Sequence, residues 1–248
     1  MSLPSKRPGR LHQLKAFTPA RIGLDRAGSS LTTRDVLAFD RDHALARDAV
    51  HLPYDAALIE DQLAMRQLKT LQVHSTAMDR AAYLKRPDLG RRLDADSRTL
   101  LTDARSPAQD GVDLAVVVAD GLSTRAVDTN AVAFLDEFLP MASTRGWRCA
   151  AVVIATQARV AIADEIGDLL GARLSVILIG ERPGLSAADS MGIYVTYAPR
   201  RRRTDAERNC ISNIRPGGLS HRVAAEHLVR LVAGAFTREM TGVALKVT

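Results

Sequence analysis

Three short runs, at 114–118, 150–154 and 174–179, constrain this chain more than any other feature it has. Each is rich in β-branched residues, and none alternates polar with apolar positions. Strands buried on both faces look like this, and they belong to parallel sheets covered by helices. Helix candidates lie between them at 123–139 and 159–170, the second closed by Gly171. A further strand at 193–197 and a long helix at 220–238 complete the pattern. The β-α-β-α-β order predicts right-handed crossovers and an α/β fold: a Rossmann-like, doubly wound, mostly parallel sheet.

The N-terminal part has a different texture, and it predicts a helical region ahead of the sheet. Thr32 or Thr33 caps a helix that carries Val36, Leu37, Phe39, Ala44, Leu45 and Val50. A second helix is expected at 56–74, where Leu58, Ile59, Leu63, Leu68 and Leu71 recur at three-to-four-residue spacing. Pro53 separates the two, because proline disfavours a helical residue before it. A shorter helix is expected after Asp96 or Ser97, and 102–111 reads as a linker. The expected division is a flexible basic tail (1–17), a helical region (18–110) and a Rossmann-like α/β domain (111–248).

Composition excludes several classes. A hydrophobic fraction of 46% with 25% charged residues is that of a globular protein and not of a disordered one. Cys149 and Cys210 stand far apart, which rules out a disulfide framework or a Cys-rich zinc site and fits a reducing cytoplasm. The longest apolar run, 114–119, is too short to span a membrane, and the first residues lack the apolar core of a secretory signal. The net charge of +6 raises the question of nucleic acid. Lys6, Arg7, Arg10, Lys15 and Arg200 to Arg203 together exceed that excess, so the rest of the chain is close to neutral. A basic tail and one basic loop do not make a basic face, and with only 4% aromatic residues there are few platforms for base stacking. Solvated loop charge is the better reading, and no nucleic-acid partner is expected.

In a sheet of this kind ligands bind beyond the carboxyl ends of the strands. The three consecutive strands deliver the loops 120–123, 156–160 and 180–186 to that edge. No G-x-G-x-x-G follows the first strand and no phosphate-binding G-x-x-x-x-G-K-[ST] loop occurs, which argues against a dehydrogenase, an NTPase or a free-standing nucleotide-dependent transferase. Ser123 lacks a nucleophile elbow and reads as a helix cap. His43, His51, His74, His221 and His227 show no metal-binding pairing, so no metal site is expected.

Specific strings go further. GERPGLS at 180–186, DSMGIY at 189–194 and DAERNCISNIRP at 205–216 are long and of low degeneracy. With them stand VADGLS at 118–123, ARV at 158–160 and DEIG at 164–167. In the helical part, DHA at 42–44, ARDAV at 46–50 and YLKRPDLGRR at 83–92 belong to the same set. Together they resemble the small, light subunit family of ethanolamine ammonia-lyase, with coverage from about Thr18 to Lys246.

The resemblance implies an adenosylcobalamin-dependent conversion of ethanolamine to acetaldehyde and ammonia by radicals. It implies a hetro-oligomer in which a large (β/α)₈-barrel subunit carries the reacting groups and this chain closes around the corrin, contributing no catalytic residue. The helical region would dock on that subunit. Positions matching the family's cobalamin contacts are Val160, Glu181 and Cys210. Glu181 is an acceptor suited to corrin amides, with a solvated loop carboxylate as its ordinary alternative. Val160 stands near a helix start, where side chain and free N–H could both meet a ligand; the alternative is the first core residue of that helix. Cys210 packs on the cofactor or is a small buried hydrophobe. The Asp-x-His-x-x-Gly pattern of histidine-ligated cobalamin is absent, so the cofactor's own benzimidazole is the expected lower ligand. A cytoplasmic complex is expected. Family members that enter a bacterial microcompartment can carry an amphipathic N-terminal helix, which Pro4, Pro8 and Gly9 oppose here. Arg200 to Arg203 are denser than the resemblance leads one to expect, and their role is left open between an acidic surface, the nucleotide phosphate and water.

Overall fold

The computed structural model describes residues 13–18, 20–105 and 111–245. The expected basic tail before Gln13 and the expected linker at 106–110 lie outside these residues. What is described of the tail is a 3-10 turn at Leu14–Phe17. A small ribbon of β1 (Arg26–Ala27) and β2 (Ser30–Leu31) precedes the first long helix. Helix α1 (Thr33–His51) is capped by Thr32, whose hydroxyl accepts the Asp35 N–H at 3.3 Å. It ends at Leu52, ahead of Pro53, where the steric demand of proline predicts an end.

The second helix is shorter than its periodicity suggests. α2 (Ala56–Ala64), capped by Asp55, stops ten residues before the expected end at His74. Gln67 takes a left-handed φ of 60° and the Leu68 N–H returns to the Leu63 carbonyl at 3.1 Å, which turns the chain. Thr70–His74 is then a strand, β3, within the stretch expected to be helical. Leu63, Leu68 and Leu71 fit a helical spacing, but Leu71 and Val73 also alternate with Gln72 and His74, and the ladder to β5 decides between the two. Two short helices follow, α3 (Arg80–Lys85) capped by Asp79 and α4 (Ala95–Ala104) capped by Asp94. The cap is Asp94 and not Asp96 or Ser97, and residues 102–104 of the expected linker form the last turn of α4.

The remaining order is β4 (Val112–Ala119), α5 (Thr124–Thr144), β5 (Val152–Thr156), α6 (Ile162–Leu169), β6 (Ala172–Gly180), β7 (Met191–Tyr197), β8 (Asn209–Ile214) and α7 (His221–Arg238). α5 runs past Pro140, where the sequence suggested a stop, because Ala142 beyond it is buried in the core and packing offsets the missing N–H. The six-stranded sheet has the order β3-β5-β4-β6-β7-β8. The pairings from β3 to β6 are parallel, and those of β6 with β7 and β7 with β8 are antiparallel. The fold is thus α/β with a mixed sheet. Helices α5 and α6 supply the crossovers that parallel strands need; the connection at 181–190 has no helix, so the chain doubles back.

Along β4, Leu114, Val116 and Val118 join the core on one face, while Ala115, Val117 and Ala119 join the core on the other. That is why this strand shows no alternation. The first face is covered by α2, α5 and α7, with Phe134, Phe138 and Leu228 fully buried. The second is covered by α4 and α6, and α6 packs chiefly on β6 and β4.

Candidate functional site

The first two loops at the carboxyl edge are locked together by one buried carboxylate, and the Leu122 N–H joins them to the third through the Gly180 carbonyl at 2.9 Å. Asp120 follows β4 and is fully buried. It accepts the N–H groups of Gly121 at 2.9 Å, Gln157 at 3.0 Å and Ala158 at 2.9 Å, and the Arg80 guanidinium at 3.2 Å. Burial pushes its carboxyl up to about 6 against the pull of these donors. Arg80 also donates to the carbonyls of Val50 at 2.7 Å and Gly121 at 2.8 Å, which ties the end of α1 to the sheet. The Arg80 and Arg159 guanidiniums both lie on the Tyr83 ring, 4.8 and 4.2 Å from its centroid. Gly121, at φ +59°, approaches so closely that a Cβ there would stand 2.3 Å from the Gly180 carbonyl oxygen. Sequence reasoning placed Asp120 in a loop and missed this hub, since its partners lie some forty residues away on either side.

The structure brings two of the three expected cofactor residues together. Glu181 opens the third loop, and its carboxylate accepts the Ser190 hydroxyl at 2.5 Å and the Asn213 N–H at 3.3 Å. It lies flat over Gly192, where a Cβ would meet Oε1 at 2.9 Å. Cys210 stands on β8 opposite Tyr194 of β7 and is exposed. Lost hydration is the main reason the Cys210 thiol is raised; the contact with Tyr194 opposes this and the Glu181 charge adds to it. Lost hydration also raises the Tyr194 hydroxyl, with Cys210 and Glu181 contributing. Glu181, Tyr194 and Cys210 therefore form one cluster, and Tyr194 was missed although it stands in the DSMGIY string. Val160 is placed on the neighbouring loop and makes no hydrogen bond to Glu181 or Cys210 among the described residues. It is half-buried against the same apolar cluster as Tyr194, two residues ahead of α6. Its N–H has no partner among the described residues, whereas the next three N–H groups of α6, from Ile162 to Asp164, bond back within the turn.

These residues border a shelf. α5 and α7 cover β7 and β8 on the first face; on the second, α6 packs on β6 and reaches β7 through Asp164 at Thr196, and the open part is around Tyr194 and β8. There Tyr194 is half-buried, and Cys210 and Ser212 are exposed. The shelf offers an aromatic ring, a thiol, an acceptor carboxylate and a free N–H, and it lacks a nucleophile held by a base. Ser123 is spent as a cap, accepting the Ala126 N–H at 3.2 Å and donating to the Ala188 carbonyl at 2.7 Å. Among the described residues no group of three or more His, Cys, Asp or Glu side chains is placed to hold a metal ion.

A second surface is unfinished. α1 buries only Ala49 and leaves Leu37 62% and Phe39 43% exposed, along with Val36 and Leu45. No helix among the described residues is long and apolar enough to cross a membrane.

Known proteins match nearly the whole chain. The family model described as "Ethanolamine ammonia-lyase light chain (EutC)" matches residues 8–246. The "Ethanolamine ammonia-lyase small subunit" of Azotobacter vinelandii is 54% identical over 234 residues, 94% of this chain and 87% of that protein. Its namesake from Ralstonia nicotianae is 54% identical over 94% of this chain and 86% of its own length. That from Pseudomonas syringae pv. tomato is 53% identical over 94% and 82%. Identity at this level over this span leaves no room for a different family: the chain belongs to the ethanolamine ammonia-lyase light chain family.

Proposed function

We propose that the chain is the cofactor-gripping small subunit of an adenosylcobalamin-dependent ethanolamine ammonia-lyase, which converts ethanolamine to acetaldehyde and ammonia. The observation that carries the cofactor reading is the partly open shelf of Tyr194 and β8, where Glu181 and Cys210 meet around Tyr194 beside the loop of Val160. A corrin is a broad, largely apolar ring with a rim of amide groups. The shelf fits such a group: Tyr194 gives it an apolar body, and the Glu181 carboxylate, which the missing Cβ of Gly192 lets lie close against β7, is an acceptor for amide N–H groups. The unpartnered Val160 N–H is a donor for an amide oxygen. When bound, the cofactor supplies radicals by homolysis of its cobalt–carbon bond. This chain's residues bind and orient: Glu181 and Val160 hold the rim, Cys210 and Tyr194 support the ring, and none of them moves a proton.

The other wall of the site would come from the large barrel subunit, in a cytoplasmic hetero-oligomer. The exposed apolar residues of α1 support docking of the N-terminal region, within 18–110, on that subunit. The parallel part of the sheet, with its ligand at the carboxyl edge, reads as a Rossmann-like doubly wound core for cobalamin. Encapsulation in a bacterial microcompartment would need a signal ahead of Gln13, outside the described residues.

The test is co-expression with a large subunit, followed by cofactor titration of the purified complex. A cobalamin-loaded complex is expected to form, and the chain alone is expected to show no turnover. Replacing Glu181 by Gln removes the charge and adds donors facing corrin amides. Cofactor affinity should then fall roughly ten- to a hundredfold, the share of a charge-assisted hydrogen bond, with most turnover restored at saturation. An unchanged affinity would return Glu181 to the status of a solvated loop residue, and turnover by the isolated chain would sink the subunit reading.

A further inference from the structure

Asn130 stands in the middle of α5 and is fully buried. An asparagine there lowers helix propensity, and its amide is costly to bury unless donors and acceptor find partners. Here both ends of the amide are engaged. Its Nδ2 donates to the Ala126 carbonyl at 2.8 Å, one turn back in the same helix. It donates also to the Asp189 carbonyl at 2.9 Å, in the connection between β6 and β7. These carbonyls take both amide hydrogens, so Oδ1 is left for His221, whose Nε2 lies 2.9 Å away. His221 must then carry a proton on Nε2 and donate it. One buried amide thus joins α5, the first residue of α7 and residue 189.

The connection at 181–190 has little else to hold it. It contains no helix, and Ser190 is its only buried residue. Gly184 and Ala187 exchange backbone bonds of 3.2 and 3.1 Å near its tip, and the Glu181 N–H donates to the Ser190 carbonyl at 2.9 Å at its base. Arg215 reaches the Asp189 carboxylate only at 4.0 Å. From α5 come two anchors on consecutive carbonyls: the Ser123 hydroxyl on Ala188 at 2.7 Å, and Asn130 on Asp189. Positions 123 and 130 stand about two helical turns apart and so face the same side. Because the peptide unit is planar, fixing the Asp189 carbonyl also fixes the plane from which Ser190 departs. Ser190 in turn donates its hydroxyl to the Glu181 carboxylate at 2.5 Å. An apolar residue at 130 would fill the same place without holding that link.

Resting on the cofactor reading proposed above, we infer that Asn130, with His221 behind it, is a positioning residue that aims the Glu181 carboxylate through Asp189 and Ser190. Asn130 belongs to α5, which covers the first face of the sheet, whereas the shelf is on the second. Its effect on a ligand therefore runs through Glu181, and neither Asn130 nor His221 takes part in the radical step.

The experiment is a double-mutant cycle read on cofactor binding. Adenosylcobalamin is titrated into the complex with the large subunit, binding is followed by visible absorbance, and assembly is checked by size. Asn130→Asp is nearly isosteric and keeps an acceptor for His221 but loses both donors. His221→Phe removes the Nε2–H, and His221→Gln keeps an N–H for Oδ1. Asn130→Asp and His221→Phe should each weaken binding about three- to tenfold beside wild-type Glu181, and less than about twofold beside Glu181→Gln. His221→Gln should stay within about twofold of the wild type. His221 is half-buried, so its variants carry the test where Asn130→Asp does not assemble. Losses of equal size in both backgrounds would overturn the inference and leave Asn130 a general core contact. Unchanged binding in Asn130→Asp and His221→Phe would overturn it too, since the loop would then hold Glu181 unaided. If Glu181→Gln itself binds like the wild type, the part of Glu181 in the cofactor reading fails, and this inference falls with it.

Discussion

Helices α1 and α5 are similar in length and opposite in what they bury. α5 runs over Thr124–Thr144 and buries ten residues, among them Phe134, Leu135 and Phe138, under the first face of the sheet. α1 runs over Thr33–His51, carries comparable apolar residues, and buries Ala49 alone. A lone amphipathic helix owes most of its stability to the face it packs, so the difference separates what this chain completes by itself from what it leaves to another surface. The same division repeats across the sheet. β7 and β8 are roofed by α5 and α7 on one face, while on the other Tyr194 is half-buried and Cys210 and Ser212 are exposed, and that face is where Glu181, Tyr194 and Cys210 gather. Unfinished apolar surfaces mark where partners belong.

The largest test of this contrast removes α1. Deleting residues 1–53 should abolish assembly with the large subunit, while deleting residues 1–19 should leave it intact; size-exclusion chromatography of the co-expressed pair reads both. A complex that survives the longer deletion would mean α1 covers nothing.

Point changes sharpen the comparison. Phe138→Ala in α5 should destabilise the chain by about 3–5 kcal/mol, since it empties a fully buried aromatic site. Leu37→Ala in α1 should change the stability of the free chain by no more than about 0.5 kcal/mol, because that side chain already faces solvent, and should show its cost only as weaker assembly. Denaturant unfolding of the free chain beside a binding titration distinguishes the two, and equal stability losses would erase the contrast.

The smallest expected effect lies on α5 itself. Asp128 has its carboxyl raised to about 6, first by burial and then by the like charge of Asp55 at the head of α2. A carboxyl whose folded value is raised binds protons more readily folded than unfolded, so its contribution to stability grows as pH falls through about 6 and is lost as pH rises. Asp128→Asn should therefore flatten this part of the pH dependence between about 7 and 4 and leave the chain slightly more stable at pH 7. The residue is exposed and screened, so the gain should stay under about 1 kcal/mol. An unchanged pH dependence in the variant would show that the Asp128 carboxyl is not raised.

The sequence by itself determined the core strands, because doubly buried β-branched runs have few other uses, and it determined the cap Ser123 and narrowed that of α1 to Thr32 or Thr33, since cap chemistry is local. It also carried the family, through long strings such as GERPGLS that composition does not produce. Only the tertiary structure decided whether residues 70–74 continued a helix or joined the sheet, since Leu68 and Leu71 satisfy the helical period and the pairing with β5 is invisible locally. It alone turned β7 and β8 antiparallel, through a connection with no crossover helix. The site divides in the same way. Glu181 and Cys210 were legible as members of matching strings, but their meeting around Tyr194 depends on the β7–β8 register. Local patterns are set by neighbours along the chain, whereas a ligand site is set by neighbours in space, and folding alone makes the second kind.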